Sequence, residues 1–211
     1  MKSKRKVFSV IGVILFIVYF IVILIQNVMN MMSYPRNAAY MLIFSIVKNI
    51  ILYGYVTFYL FYQALKKDNK TDKVLNIILI VIMGFMVIED LRQLFSYITL
   101  LQHGYMTTII VILMILRVVF SLIVDGLIGV SVFGLVLKNK KYPFKLFMIL
   151  SLVGLGLLLL SSIGYDVTNI LYQGNIRYVL FNILSYISGI LFITAQVFLI
   201  LVIHENKKEI Q

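Results

Sequence analysis

The sequence contains no cysteine, so disulfides, thiolate metal sites and cysteine nucleophiles are excluded. Charge is scarce: 13% of the 211 residues are Asp, Glu, Lys or Arg, about half the share of a soluble domain. Acidic residues are rarer still, eight against nineteen basic ones. His103 and His204 are the only two histidines, and they fall in segments too far apart to share a metal or a haem. There is no glycine-rich phosphate loop and no serine–histidine arrangement for nucleophilic catalysis, and none of these motif chemistries is expected. No cofactor and no metal site follow from the residues.

What the chain has in abundance is apolar length. Hydrophobic residues make up 62% of it, and the mean hydropathy is +1.04. Apolar runs of 18 or more residues recur, the signature of helices that cross a bilayer. Six spans are expected, at 7–29, 39–63, 74–101, 105–137, 144–165 and 179–203. The predicted fold is therefore all-α: a polytopic membrane protein, one integral domain over residues 1–211, built as a bundle of six transmembrane helices. "MKSKRK" before the first run has the basic start of a signal peptide. The run is longer than a signal core and no small-x-small site follows it, so a retained first helix is expected.

The net charge of +11 would suggest nucleic acid in a soluble protein. Here the basic residues form short clusters that flank the apolar runs, and nucleic acid is not an expected partner. "MKSKRK", "KKDNKTDK", "KNKKYPFK" and "HENKKEIQ" hold fourteen of the nineteen Lys and Arg residues, while the alternate joints hold Arg36 and Arg177. Basic residues accumulate in cytoplasmic loops. The expected localisation is a cell membrane, multi-pass, with both termini cytoplasmic. Tyr34, Tyr40, Tyr97, Tyr105, Tyr165, Tyr172 and Tyr178 fall near the opposite ends of the spans. Tyrosine favours headgroup depth, so these residues are read as interfacial anchors.

Six charges lie inside the spans: Lys48, Glu89, Asp90, Arg92, Arg117 and Asp125. Glu89, Asp90 and Arg92 sit within one turn of the third span. Three central charges cost about 8–10 kcal/mol on an insertion scale, against about 6–8 kcal/mol returned by the apolar residues. That span needs neighbours offering opposite charge or water. Glu89 and Arg92, three apart, share a helix face and can pair locally, with Gln93 and Ser96 continuing their stripe. Asp90 is rotated about 100° from Glu89 and must look to another helix. Folding the hairpins about their loops puts Lys48 and Arg117 level with that turn, so Arg117 or Lys48 is the expected partner of Asp90. Counted from the cytoplasmic ends, this layer lies roughly 22–25 Å into a core of about 30 Å. Asp125, two turns deeper on the face of Arg117 and Ser121, is expected to floor a pocket or to bond a neighbouring hydroxyl. Asn182 and Gln196 are polar enough to join it.

Other chemistry fares poorly. Glu89 and Asp90 diverge by about 100° and cannot share a proton as a carboxylate dyad does. "YD" at 165–166 and "DG" at 125–126 are fragments of intramembrane aspartyl protease motifs, the second without the glycine two residues before its acid. Ser185 and Gly189 have the spacing of close helix contacts. The chain's size and six-helix layout are similar to the substrate-binding subunits of energy-coupling-factor vitamin transporters, which present a pocket to the outside. This likeness is one of layout and carries no motif.

The leading expectation is a module that binds or moves a small polar or charged solute through Lys48, Glu89, Asp90, Arg92, Arg117 and Asp125. The alternative is a non-transporting accessory (an immunity factor, a sensor subunit or an assembly partner) whose charge layer is structural. An enzyme acting on lipid comes third. Expected partners are the lipid bilayer, the solute and a further membrane or cytoplasmic subunit.

Overall fold

A computed structural model describes residues 2–33, 39–66, 72–103, 108–137, 142–173 and 176–208. Every element among the described residues is an α-helix: α1 Lys2–Ser33, α2 Ala39–Leu65, α3 Lys73–His103, α4 Thr108–Leu137, α5 Phe144–Gln173 and α6 Ile176–Lys208. Five of them, all except α2, are long and apolar enough to cross a membrane. α2 has 27 residues, about 40 Å of helix, which also exceeds the hydrocarbon thickness of about 30 Å. Large apolar side chains on the outer faces stay uncovered, among them Ile14, Phe44, Phe95 and Leu160 at 55–72% exposure. In water such a surface would aggregate, whereas in lipid it is the expected exterior.

The helices alternate in direction, so both ends of the described chain lie at one end of the bundle, called here the termini end. The joints after α1, α3 and α5 mark the far end. Each helix packs against the next in sequence and α6 closes back onto α1, giving a ring of six. The α2–α3 seam is the thinnest of these contacts. Two glycines allow close approach elsewhere. A Cβ on Gly12 would stand 3.0 Å from Leu60 Cδ1 and 3.3 Å from Phe198 Cβ, so α1 nestles between α2 and α6. A Cβ on Gly154 would stand 2.8 Å from Val124 Cγ2, which sets the α4–α5 distance.

Two helices run further than the sequence pattern suggests. Residues 166–177 read as a polar loop, yet α5 continues through Gln173. The stretch has no proline, and Thr168 Oγ1 donates to the Gly164 carbonyl at 2.7 Å, turning its polarity back onto its own helix. α6 likewise runs five residues past 203 to Lys208, burying Glu205 and Asn206 on the way. Tyr34, Arg36 and Tyr105 lie outside the described residues, as do the side chains of Tyr40, Tyr172, Arg177, Tyr178 and Asn182.

Along the bundle axis the core changes character. Midway towards the termini end, Val56, Leu79, Met83, Ile128, Val132 and Leu199 form a layer only 0–2% exposed. Nearer the termini a second polar zone follows. There Tyr59 Oη donates to Asn76 Oδ1 at 3.0 Å and accepts from Asn206 Nδ2 at 3.4 Å. Arg5 Nη2 donates to the Lys66 carbonyl at 3.3 Å. On the far side of the apolar layer lies a cavity.

Candidate functional site

All six helices contribute to a half-enclosed cavity of about 320 Å³. Its walls follow helical periodicity. α3 supplies Asp90, Gln93 and Tyr97, spaced three and four apart, and α4 supplies Arg117 and Ser121. α5 adds Leu158, Ser162 and Tyr165, and α6 adds Ser185, Gly189 and Phe192 at the same kind of spacing. Asp90, Arg117, Ser162 and Gly189 stand nine to thirteen residues from the far ends of their helices, about 14–20 Å along the axis. The chamber therefore sits in the far half of the bundle.

The floor is aromatic. Tyr19 and Tyr53 meet edge to face with ring centroids 5.3 Å apart, and Phe192 lies 5.2 and 5.3 Å from them. Aromatic rings favour such edge-to-face contacts over face-to-face stacking. Below them Gln196 Nε2 donates to Asp125 Oδ1 at 3.0 Å, and both residues are 2% exposed. Asp125 is thus deeper than the cavity wall, and its partner is an amide on α6 rather than a hydroxyl. The apolar layer then separates this pair from the polar zone at the termini end.

Apart from Asp125, the structure divides the sequence-predicted charges into two groups. Lys48 Nζ bonds Glu89 Oε1 at 2.7 Å, and Arg92 clasps both Glu89 oxygens at 2.6 and 2.9 Å. This trio bridges the thin α2–α3 seam. The Arg92 side chain is 67% exposed, so its head snorkels outward while its fork stays on the carboxylate. Glu89 and Arg92 pair as their three-residue spacing requires. Gln93 does not continue their stripe; it turns with Asp90 into the cavity.

Asp90 and Arg117 form the second group, and here the expected pairing fails. Among the described residues Asp90 makes no ion pair with Arg117 or Lys48, since Lys48 is taken by Glu89. Both residues line the cavity instead. Asp90 is 9% exposed, and its Oδ2 is buried without a hydrogen-bond partner. Arg117 acts electrostatically on Asp166, Tyr97, Tyr165 and Tyr19. It makes no hydrogen bond or ion pair with any described residue. The reason for the miss is rotational: equal depth places two residues at one level of the bundle, but not on facing sides of neighbouring helices.

Sequence reasoning missed several members. Tyr97 and Tyr165 read as headgroup anchors, yet both are cavity wall. The signal was present: Tyr97 is seven residues from Asp90, and Tyr165 three from Ser162, each on a common face. Tyr19 and Tyr53 gave no signal, because a tyrosine in mid-span looks the same facing core or lipid. Asp166, 4% exposed with a buried unpartnered Oδ1, falls in a stretch that reads as loop in the sequence and is helix in the structure.

No group of three or more metal-ligating side chains occurs among the described residues. No family model matches the chain, and neither a curated protein nor a solved structure matches it.

Proposed function

We propose that this multi-helix membrane protein binds or moves a small polar or charged solute through the far-half cavity. One observation carries the reading. A chamber of about 320 Å³ holds an acid and a base, each without an ion-pair partner among the described residues. Ligand sites occupy about 300–1,000 Å³, so the chamber suits a metabolite-sized molecule. Ionisable groups at membrane depth are costly, and those kept there commonly mark ligand or ion paths. In this reading Asp90 and Arg117 contact the solute, Asp125 stiffens the floor through Gln196, and the Lys48–Glu89–Arg92 trio is an ion-pair network holding the seam. The asymmetry of basic residues supports cytoplasmic termini in a cell membrane, with the cavity facing outward.

The accessory reading draws on a different observation: half of the charge layer is paired and bridges two helices, as a purely structural device would. The two readings part on whether the cavity is occupied. Purified protein, denatured to release small molecules, should yield by mass spectrometry a solute absent from Asp90→Ala and Arg117→Ala protein of equal purity and monodispersity. Identical small-molecule content in all three preparations would remove the solute reading and leave the accessory one.

A further inference from the structure

We infer that the solute is a zwitterion of the amino-acid class: an amine and a carboxylate a few bonds apart, bound with its carboxylate on Arg117 and its amine on Asp90. This rests on the cavity reading above and narrows it. Unlike charges in one confined, membrane-embedded space would lower their energy by meeting, because Coulomb attraction there is weakly screened. Here Asp90 and Arg117 face the same chamber more than a salt-bridge length apart. Asp90 Oδ2 is buried with no donor. The guanidinium has five donors and no described acceptor. A ligand with one charge would satisfy one pole and desolvate the other, whereas a dipolar ligand satisfies both at once.

The rest of the wall fits the same class. Gln93, Ser121, Ser162 and Ser185 offer uncharged polar groups around the two poles, suited to the second oxygen and the remaining amine protons. Tyr19, Tyr53 and Phe192 give an aromatic floor against which an apolar substituent can lie. Asp166 lies within electrostatic reach of Arg117 without lining the chamber and without an ion pair to it among the described residues. The paired Glu89 belongs to the seam, so the chamber itself holds one base and one acid.

The test is titration calorimetry on the full chain in nanodiscs. The probes are the neutral amino acids from glycine to tyrosine, each alone. The tightest of them is then compared with its deaminated acid and its decarboxylated amine; for leucine these are 4-methylpentanoate and 3-methylbutylamine. The expected result is saturable binding of at least one amino acid, with both single-charge analogues weaker by about tenfold or more. Arg117→Gln should bind the amino acid no better than the amine, and Asp90→Asn no better than the acid. Arg117→Lys, which keeps the charge, should retain part of the preference and guards against a folding artefact.

An acid or amine that binds as tightly as its parent amino acid overturns the zwitterion and leaves the solute reading intact. Absence of binding by every amino acid overturns it as well. In that case the released-molecule experiment decides separately whether any solute occupies the chamber.

Discussion

The sharpest division in this protein falls between two consecutive residues. Glu89 and Asp90 carry the same charge at the same depth, yet the 100° step of the helix sends one to the α2–α3 seam and the other into the cavity. Their environments are opposite: Glu89 takes two cations, and Asp90 takes none. Substitution should separate them. Glu89→Gln leaves Lys48 and Arg92 without their shared anion, a loss of charge-assisted hydrogen bonds of about 1.5–3 kcal/mol. It should lower the thermal unfolding midpoint while leaving the cavity's small-molecule content unchanged. Asp90→Asn should do the reverse, because a buried carboxylate with no cationic partner among the described residues costs the protein stability. Its unfolding midpoint should equal or exceed that of the parent. A drop in stability for Asp90→Asn matching that for Glu89→Gln would place Asp90 in an undetected structural pair.

At the level of the elements, the seams are closed by different physics. α4 and α5 meet through small residues, with Gly154 against Val124, which is wholly buried. A β-branched side chain has few rotamers with which to retreat. Gly154→Ala should therefore destabilise by about 1–3 kcal/mol, and adding Val124→Ala should recover part of the loss. A Gly154→Ala protein as stable as the parent would show that the helices can slide apart without cost. The α2–α3 seam instead relies on polar ties at both ends: Lys48–Glu89 at one, and Tyr55 Oη to the Leu75 carbonyl at 2.9 Å with Tyr62 to Asp72 at the other. Helix number and type were legible because apolar length alone dictates them in a bilayer. The loss of the 166–177 joint was not, since hydroxyls that bond their own backbone look like loop residues in a sequence. Depth was legible too, and it brought Lys48 to Glu89 and Arg117 to the cavity. Azimuth was not, because equal depth says nothing of which way a side chain points, and the Asp90 pairing failed on that ground.

For the molecule as a whole, the arrangement is a pouch, an apolar layer and a second polar zone in series along one axis. The layer of Val56, Leu79, Met83, Ile128, Val132 and Leu199 is only 0–2% exposed, so reagents should reach the pouch from one side of the membrane only. The absence of native cysteine makes this directly measurable, since each introduced thiol is the only one present. In intact cells a membrane-impermeant maleimide should label Gln102→Cys at the far end and Ser185→Cys in the cavity wall. Lys73→Cys, exposed at the termini end, should react only after lysis, and Asn76→Cys, buried beyond the apolar layer, should resist the reagent from outside. Labelling of Lys73→Cys in intact cells with Gln102→Cys protected would invert the orientation and put the cavity on the cytoplasmic side. Labelling of Ser185→Cys from the same side as Asn76→Cys would instead mean that the layer opens. Rapid protection of Ser185→Cys by the amino acid that binds best, with no effect on Gln102→Cys, would tie the accessible space to the occupied one: a shared chamber requires the two to compete.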